Sequence, residues 1–354
     1  MRLRVVWLSR SGEQRGAVSR QLAVAPPWRA RVTPLQLRRH SVGRDHMHDS
    51  GTNHVNEALP PSSEHLPVLL GEVVEYLAPR PGAVIVDATI GLGGHSQRLL
   101  PLLGTTGHLI GIDQDPEALR VASERLGSPP SLVLEQANFR ELPSVLQDAK
   151  RPAIDGLLVD LGVSSLQLGT PKRGFSFQAN GPLDMRMDPR NTMTAGQLIN
   201  YLSEMELADC FFQLGEERYA RRIARAVVCE RRAAPIDTTM ELADIVARAV
   251  PRRGGRLHPA TRVFQALRVA VNRELEALEH LLRAVPTFIK PGGRVVIIAF
   301  HSLEDRLVKQ TFRSLATTGP WRLLTKKPVR PSAQEVAANP RSRSARLRAV
   351  LREE

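Results

Sequence analysis

Short apolar runs alternate with amphipathic stretches over residues 83–161 of the chain. Each run is bounded by turn residues and is too short for a helix, so it is expected to form a buried strand. The pattern predicts strands at 83–89, 108–113, 131–135 and 154–161, with helices at 96–103 and 116–126. Strands and helices alternating at this spacing indicate an α/β protein, in which a parallel sheet carries helices on both faces.

The alternation stops after residue 161 and returns near residue 293. After a loop at 170–191, helical periodicity marks the segments 194–202, 204–214, 217–231, 239–249 and 259–284. The remaining elements expected are a buried strand at 293–300, a helix at 302–315 and β-like runs at 321–325 and 347–352. We therefore predict one α/β domain, formed by residues 65–164 and 274–354, with a helical, substrate-recognising insert at 165–273.

The first 64 residues are basic and show no sustained periodicity, so a disordered extension is expected there. Residues 1–46 hold ten arginines against two acidic residues. Three interpretations stay open: an organellar transit peptide, an RNA-binding arm, or a segment upstream of a true start at Met47. A transit peptide would place the protein in the mitochondrial matrix; otherwise we expect the bacterial cytoplasm.

Composition excludes several classes of protein. No apolar run approaches the ~20 residues of a membrane span, so no membrane partner is expected. Two cysteines are too few for a disulfide framework, and the histidines and acids lack the spacing of a zinc site, so no metal is expected. The net charge of +13 permits a polyanionic partner without identifying it.

Candidate ligand-binding residues follow the predicted strands, at the sheet edge where open α/β sheets bind ligands. Gly93, Gly94 and His95 belong to a Gly-rich turn whose spacing differs from the G-x-G-x-x-G of nicotinamide enzymes. Asp113 ends the second strand, where a carboxylate can accept hydrogen bonds from both hydroxyls of a ribose. Phe139 follows the third strand, and its ring lies either against an adenine or in the core. Together these residues indicate a nucleoside cofactor.

Over residues 65–352 the sequence resembles the MraW/RsmH family of S-adenosylmethionine-dependent methyltransferases. The matching stretches, in the family's order, are 65–70, 87–96, 111–115, 160–165, 173–177, 181–188, 215–218, 258–262, 264–268, 300–306 and 339–343. The resemblance implies a class I (Rossmann-like) methyltransferase sheet with an inserted all-α domain. It also implies S-adenosylmethionine as the cofactor, contacted by Gly93, Gly94, His95, Asp113, Phe139, Asp160 and Gln167.

The reaction implied by the resemblance is methylation of a cytidine at N4, in the decoding centre (P site) of 16S rRNA within the 30S subunit. A homodimer is compatible with the family, and DNA is not expected as a partner. The alternative is a non-catalytic small-subunit assembly factor that keeps the fold. The intact Gly93, Gly94, Asp113 and Asp160 favour the enzyme.

The fourth predicted strand ends at Asp160 and leads to Ser164 and Ser165, which we expect at the methyl-transfer centre. Many amino methyltransferases carry D/N-P-P-Y/F at this place, whereas this chain reads DLGVSS, without the prolines and the aromatic ring. Asp160 is expected to orient the amine or the cofactor. Ser164 and Ser165 are expected to contact the base or its phosphate.

Other residues leave two interpretations open. Asp184, Arg186 and Asp188 either shape the substrate pocket or form ion pairs within their loop. His301 and Glu304 either line the pocket or belong to a helix start, with Ser302 as the cap and a surface ion pair. The insert's arginines either contact RNA or form a solvated helix face: Arg218, Arg221, Arg222, Arg225, Arg252, Arg253, Arg256, Arg262 and Arg268.

Overall fold

The structure is a computed structural model that describes residues 66–251 and 258–354. In these ranges the strands are β1 (Val84–Asp87), β2 (His108–Asp113), β3 (Leu132–Gln136), β4 (Ile154–Asp160), β5 (Ile289–Ala299), β6 (Trp321–Leu323) and β7 (Arg346–Arg352). The helices are α1 (Leu70–Leu77), α2 (Gly94–Leu99), α3 (Pro116–Leu126), α4 (Leu142–Asp148), α5 (Ser165–Gly169), α6 (Ala195–Tyr201), α7 (Glu204–Gly215), α8 (Ala220–Glu230), α9 (Thr239–Ala249), α10 (Thr261–Asn272), α11 (Glu274–Phe288), α12 (Ser302–Thr318) and α13 (Ala333–Ala338). The expectations for residues 1–65, and those for Arg252, Arg253 and Arg256, lie outside the described residues.

The strands form one sheet in the order β3-β2-β1-β4-β5-β7-β6. The first five strands in this order are parallel to one another, which confirms the predicted α/β class with a Rossmann-like sheet. The apolar pattern predicts no direction for the last two strands, and β7 pairs antiparallel with both β5 and β6. The strand order reverses between β1 and β4, and such a reversal opens a crevice at the carboxyl ends of the strands.

Successive residues of β1 point into two apolar clusters, one on each face of the sheet. Ile85 packs with Val73 and Leu99 in one cluster, and Val86 packs with Ile110 and Leu281 in the other. Because both faces are covered, the strand reads as an unbroken apolar run rather than as an alternation. This burial fixes the carboxyl ends of the central strands, on which the pocket is built.

The segment predicted as one helix over 259–284 is in fact two helices, α10 and α11. They are separated by Arg273, whose φ of 51° is left-handed. The preceding side chain, Asn272, accepts a hydrogen bond from Met187 N and donates one to Met185 O, both at 2.8 Å. These bonds to a distant loop hold the turn, and the local periodicity contains no signal of them.

Between β4 and β5 the described residues form helices and loops without a strand, as the sequence predicts. Helix α7 packs against α8 and α10, and α8 packs against α9. The bounds of α9 match the prediction, whereas the short helices α1, α4, α5 and α13 were not predicted. The division into a sheet domain and an insert at 165–273 stays a prediction. In the described part of the chain, no helix has the length and apolar character needed to cross a membrane.

The contact between α7 and α10 depends on Gly215, since a methyl group on this residue would lie 2.5 Å from Arg262 O. Because that oxygen belongs to the backbone, Gly215→Ala must displace one helix, and we expect the free energy of unfolding to fall by about 1–3 kcal/mol. Urea unfolding measures the change. In the control Gly71→Ala, nothing lies within 4 Å of the new methyl group, so stability should hold or rise slightly. Equal losses in both variants would contradict the close helix contact.

Candidate active site

One pocket opens at the carboxyl ends of β1, β2 and β4, where the strand order places a crevice. Most residues predicted to bind the cofactor or take part in catalysis line it: Gly94, His95, Asp113, Phe139, Asp160, Ser164, Ser165 and Gln167. Gly93 lies beside the pocket as the N-cap of α2. The structure therefore brings the predicted site residues together, while their binding and catalytic roles stay predictions.

The turn between β1 and α2 carries the backbone close along the pocket. Gly91 and Gly93 have φ values of 52° and 78°, in the left-handed region that favours glycine. A methyl group on Gly94 would lie 2.8 Å from Pro67 Cγ, so a larger residue would push the turn away from the chain that precedes α1. The glycines thus allow a close-packed backbone wall against which a ligand can lie.

Asp113 ends β2 with its carboxylate fixed by two backbone donors. Its Oδ2 accepts a hydrogen bond from Gly91 N and its Oδ1 accepts one from Asp115 N, both at 2.9 Å. Burial raises the pKa of Asp113 to about 6, against the lowering effect of these two bonds. Each carboxylate oxygen keeps a second lone pair, so the group can still accept hydrogen bonds from a pair of ligand hydroxyls.

Asp160 ends β4 and is held from its backbone, since its N–H donates to Thr89 Oγ1 at 2.6 Å. Its Oδ1 atom is buried and has no hydrogen-bond partner among the described residues. Burial, and then the charges of Asp87 and Glu304, raise the pKa of Asp160 well above its ordinary value. A buried acceptor without a partner is unfavourable, and a ligand that donates a hydrogen bond here would relieve that cost.

His95 lies next to Asp160 but supplies no positive charge. Its Nε2 is 2.9 Å from Val68 O, and because a carbonyl can only accept, Nε2 must carry the proton. Burial lowers the pKa of His95 to about 4, so the ring is neutral at neutral pH. Its unprotonated Nδ1 therefore faces Asp160 Oδ2, at 3.8 Å.

Gln167 and Phe139 form parts of the pocket wall. Gln167 is buried; its Nε2 donates to Asp115 Oδ2 at 2.8 Å, and its Oε1 accepts from Ser164 N at 3.1 Å. It thereby fixes the segment with Ser164 against the start of α3. Phe139 lines the pocket and also belongs to the apolar core, so the two interpretations of its ring are compatible.

A buried group of charged side chains forms another wall of the pocket, and the sequence predicts only some of its members as pocket residues. Glu274 and Glu304 both line the pocket. Arg268 binds Glu274 with two bonds of 2.8 and 2.9 Å, and His301 Nε2 lies 3.0 Å from Glu304 Oε1. The Arg268–Glu274 pair depends on the break at Arg273, which the predicted single helix did not contain.

Of the two interpretations left open at the start of α12, the structure contradicts the one with a Ser302 cap and a surface ion pair. The N-cap is His301 rather than Ser302, because the His301 ring accepts from Glu304 N, at 3.4 Å. Glu304 forms no surface ion pair but is 2% exposed, and its Oε2 accepts from Phe300 N at 2.8 Å. The cap is therefore a buried arrangement that faces the pocket.

The 184–188 loop follows the ion-pair interpretation. Arg186 binds Asp184 at 2.7 Å, while Asp188 pairs with Arg190 at 2.8 Å. None of these charged side chains lines the pocket, whereas the apolar Met187 between them does. The loop thus contributes an apolar wall, which its acidic and basic residues hold in place from outside.

The charge of the pocket favours a cationic ligand. Among the described residues, its charged lining groups are the carboxylates Asp113, Asp160, Glu274 and Glu304, and the guanidinium of Arg341. The lining acids therefore outnumber the lining base, although Arg268 behind the wall offsets the charge of Glu274 and the whole chain is basic. The described residues contain no group of three or more His, Cys, Asp or Glu side chains placed to hold a metal ion.

Comparison with known proteins gives consistent matches over the described chain. The MraW methylase family matches residues 62–353. "Ribosomal RNA small subunit methyltransferase H" of Koribacter versatilis is 49% identical over 299 residues, which cover 81% of this chain and 94% of that protein. The enzyme of the same name from Thermomicrobium roseum is 50% identical over 311 residues, covering 83% and 95%. A solved rRNA methylase from Streptococcus thermophilus is 13% identical, with a TM-score of 0.35 over 80% of this chain and 94% of that chain.

The buried carboxyl of Asp87 gives the protein a pH-dependent stability. Burial raises its pKa to about 6, so the folded state binds a proton more tightly than the unfolded state. The contribution of Asp87 to stability should therefore fall as the pH rises from about 4 to about 6 and stay level above that. Asp87→Asn should raise the free energy of unfolding at pH 8 by about 1–3 kcal/mol relative to the wild type, and by much less at pH 4.5.

Urea unfolding between these pH values tests this difference. The replacement is nearly isosteric, and its amide oxygen can still accept the 2.7 Å hydrogen bond from Ser96 Oγ. Asp148→Asn, which removes an exposed carboxylate, serves as the control and should leave the pH profile unchanged. Equal effects of Asp87→Asn on the free energy of unfolding at pH 4.5 and at pH 8 would refute the prediction.

Proposed function

Because the chain belongs to the MraW methylase family, we propose that it methylates N4 of a cytidine in the decoding centre (P site) of 16S rRNA. At a coarser level it is an S-adenosylmethionine-dependent rRNA methyltransferase of the small subunit, like its curated relatives. What we propose beyond this is the target atom, N4, and the target nucleotide, a cytidine of the P site. The 30S subunit as the substrate particle, a cytoplasmic location and a homodimer belong to the same proposal.

The observation that carries the proposal is the unpartnered Oδ1 of Asp160. The exocyclic amine of cytosine has two N–H donors, and its nitrogen lone pair is delocalised into the ring. A buried carboxylate oxygen that accepts one N–H makes this lone pair more available, and it fixes the direction from which the nitrogen approaches. A carbon nucleophile, which has no N–H or O–H to donate, would gain less from an acceptor at this place.

The pocket residues also fit the cofactor. When bound, S-adenosylmethionine supplies an electrophilic methyl group on a positively charged sulfur. The excess of carboxylates over the Arg341 guanidinium suits its sulfonium and ammonium charges. Asp113 would hold its ribose hydroxyls, and Phe139 would lie against its adenine. Gly93, Gly94, His95 and Gln167 complete the proposed binding set.

In the proposed reaction, the chain's own residues position the amine and remove its proton. Asp160 Oδ1 accepts an N–H of the amine while the N4–carbon bond forms and the sulfur–carbon bond breaks. The raised pKa of Asp160 makes its carboxylate a stronger base than an exposed aspartate, so it can take the N4 proton afterwards. Ser164 and Ser165 follow directly and would contact the base or its phosphate, since both line the pocket.

The chain lacks the D/N-P-P-Y/F sequence that many amino methyltransferases have at this place. In this chain the Asp160 carboxylate would accept the hydrogen bond of the amine, as the D or N of that sequence would. No aromatic ring follows at the place of the Y or F. A non-catalytic assembly factor is the less favoured alternative. An unpartnered acceptor buried in a pocket lowers stability. A non-catalytic factor would gain nothing in return for that loss.

The product nucleoside tests the proposed reaction. The full chain, incubated with undermethylated 30S subunits and labelled S-adenosylmethionine, should yield N4-methylated cytidine after digestion of the rRNA and mass spectrometry. A product methylated at another atom would overturn the proposed target. Binding of the cofactor without any labelled nucleoside would favour the assembly factor.

Substitution of Asp160 tests its assigned role. We expect Asp160→Ala to lower kcat by about 10²–10⁴-fold, since the acceptor of the amine is lost. Asp160→Asn should retain part of the activity, because its amide oxygen can still accept. Asp155→Asn, at the other end of the same strand, is the matched control and should keep a wild-type kcat. Near-wild-type turnover of Asp160→Ala, with cofactor binding confirmed by calorimetry, would exclude the proposed role.

A further inference from the structure

A second cavity, of about 430 Å³, lies on the helical region between α7 and α8 and has no part in the site described above. Its lining residues are Ala208, Asp209, Phe212, Arg218, Tyr219, Ala220, Arg221 and Arg222. We name it the α7–α8 groove. A cavity of this size is within the range that small ligands occupy.

The arginines of the α7–α8 groove differ from most arginines of the chain. Arg218, Arg221 and Arg222 are exposed, and none of them forms an ion pair with a described residue. Their neighbour Arg225, which the sequence groups with them, instead lies 3.5 Å from Glu204. Against the three guanidinium groups the groove has one carboxylate, Asp209. Its uncompensated positive charge suits an anionic partner.

Aromatic rings accompany this charge. The Arg218 guanidinium lies over the Tyr219 ring, 4.7 Å from its centroid. Phe212 is 62% exposed, and Met205, seven residues earlier on the same face of α7, is 71% exposed. Large apolar side chains left in solvent beside unpaired arginines mark a binding surface rather than a merely solvated helix face. Rings with guanidinium groups are the combination that binds bases and phosphates together.

The groove is connected to the rim of the active-site pocket. Glu216, two residues before Arg218, binds Arg306 at 3.0 Å and also accepts from Ser302 Oγ. Both partners belong to α12, whose buried Glu304 lines the pocket. These contacts join the chain segment that precedes Arg218 to the helix that borders the pocket.

From these observations we infer that the α7–α8 groove binds single-stranded RNA next to the target nucleotide. A base stacks on Phe212 or Tyr219, and Arg218, Arg221 and Arg222 contact phosphates. The inference rests on the proposed function for the identity of the strand. The groove is thus a binding site outside the methyl-transfer pocket, with rings for a base and arginines for phosphates.

The test compares full-length variants of equal charge. The groove variant is R218Q/R221Q/R222Q, and the control, R98Q/R125Q/R313Q, removes three exposed arginines on α2, α3 and α12. Binding of a single-stranded RNA dodecamer is followed by fluorescence anisotropy over a range of salt concentrations. The groove variant should bind at least about tenfold more weakly, with a salt slope reduced by about 2, since each phosphate contact contributes ~0.7. Phe212→Ala should weaken binding by at least about fivefold.

Methylation of 30S subunits separates this inference from the proposed function. The groove variant should raise KM for the subunit while kcat and cofactor affinity stay within about twofold of the wild type. If the wild type produces no methylated nucleoside, the proposed function fails, and the dodecamer comparison still decides whether the groove binds RNA. Equal RNA binding by the groove and control variants would overturn the inference, even if subunit binding changed, because the partner would then be a ribosomal protein.

Discussion

The burial of three carboxylates at the carboxyl ends of adjacent strands is the constraint on which the pocket depends. Asp87, Asp113 and Asp160 end β1, β2 and β4, and burial raises the pKa of each of them. Apolar layers cover both faces of the sheet up to this edge, while the pocket leaves part of the Asp160 side chain exposed. Local donors partly offset the cost, since Ser96 Oγ donates to Asp87 and backbone N–H groups donate to Asp113. Asp160 Oδ1 receives no such donor from the described part of the chain, and a ligand that donates a hydrogen bond would complete the site.

Sequence alone predicts this edge well because its signals are local. Unbroken apolar runs report strands buried on both faces, and the acids that end them follow directly in the chain. The turn glycines are recognisable for the same reason. The structure adds what no neighbouring residue encodes: Gln167 reaches Asp115, and Asn272 holds the backbone around Met187. Such pairs are separated by many residues, and their geometry depends on packing that periodicity does not report.

Polar contacts attach the helical region to the pocket. Asn272 joins the end of α10 to the loop that carries Met187, and Arg268 joins α10 to Glu274 in the pocket wall. The predicted unbroken helix over 259–284 would have left Arg268 and Glu274 without their present geometry. A single left-handed residue, Arg273, thus determines that Glu274, at the start of α11, faces the pocket. Its local signal is absent, because the residue is neither glycine nor asparagine.

The distribution of charge explains how one protein would bind both a cationic methyl donor and an anionic RNA. The pocket is acidic, whereas the α7–α8 groove has unpaired arginines. A cationic methyl donor is favoured in the pocket, and an RNA backbone is disfavoured there by the same carboxylates. Phosphates held in the groove would leave only an uncharged base to enter the pocket. A target base must leave its stack to reach a buried methyl group. Because the pocket is acidic and the groove is basic, an unstacked base in the pocket is favoured over entry of the charged strand.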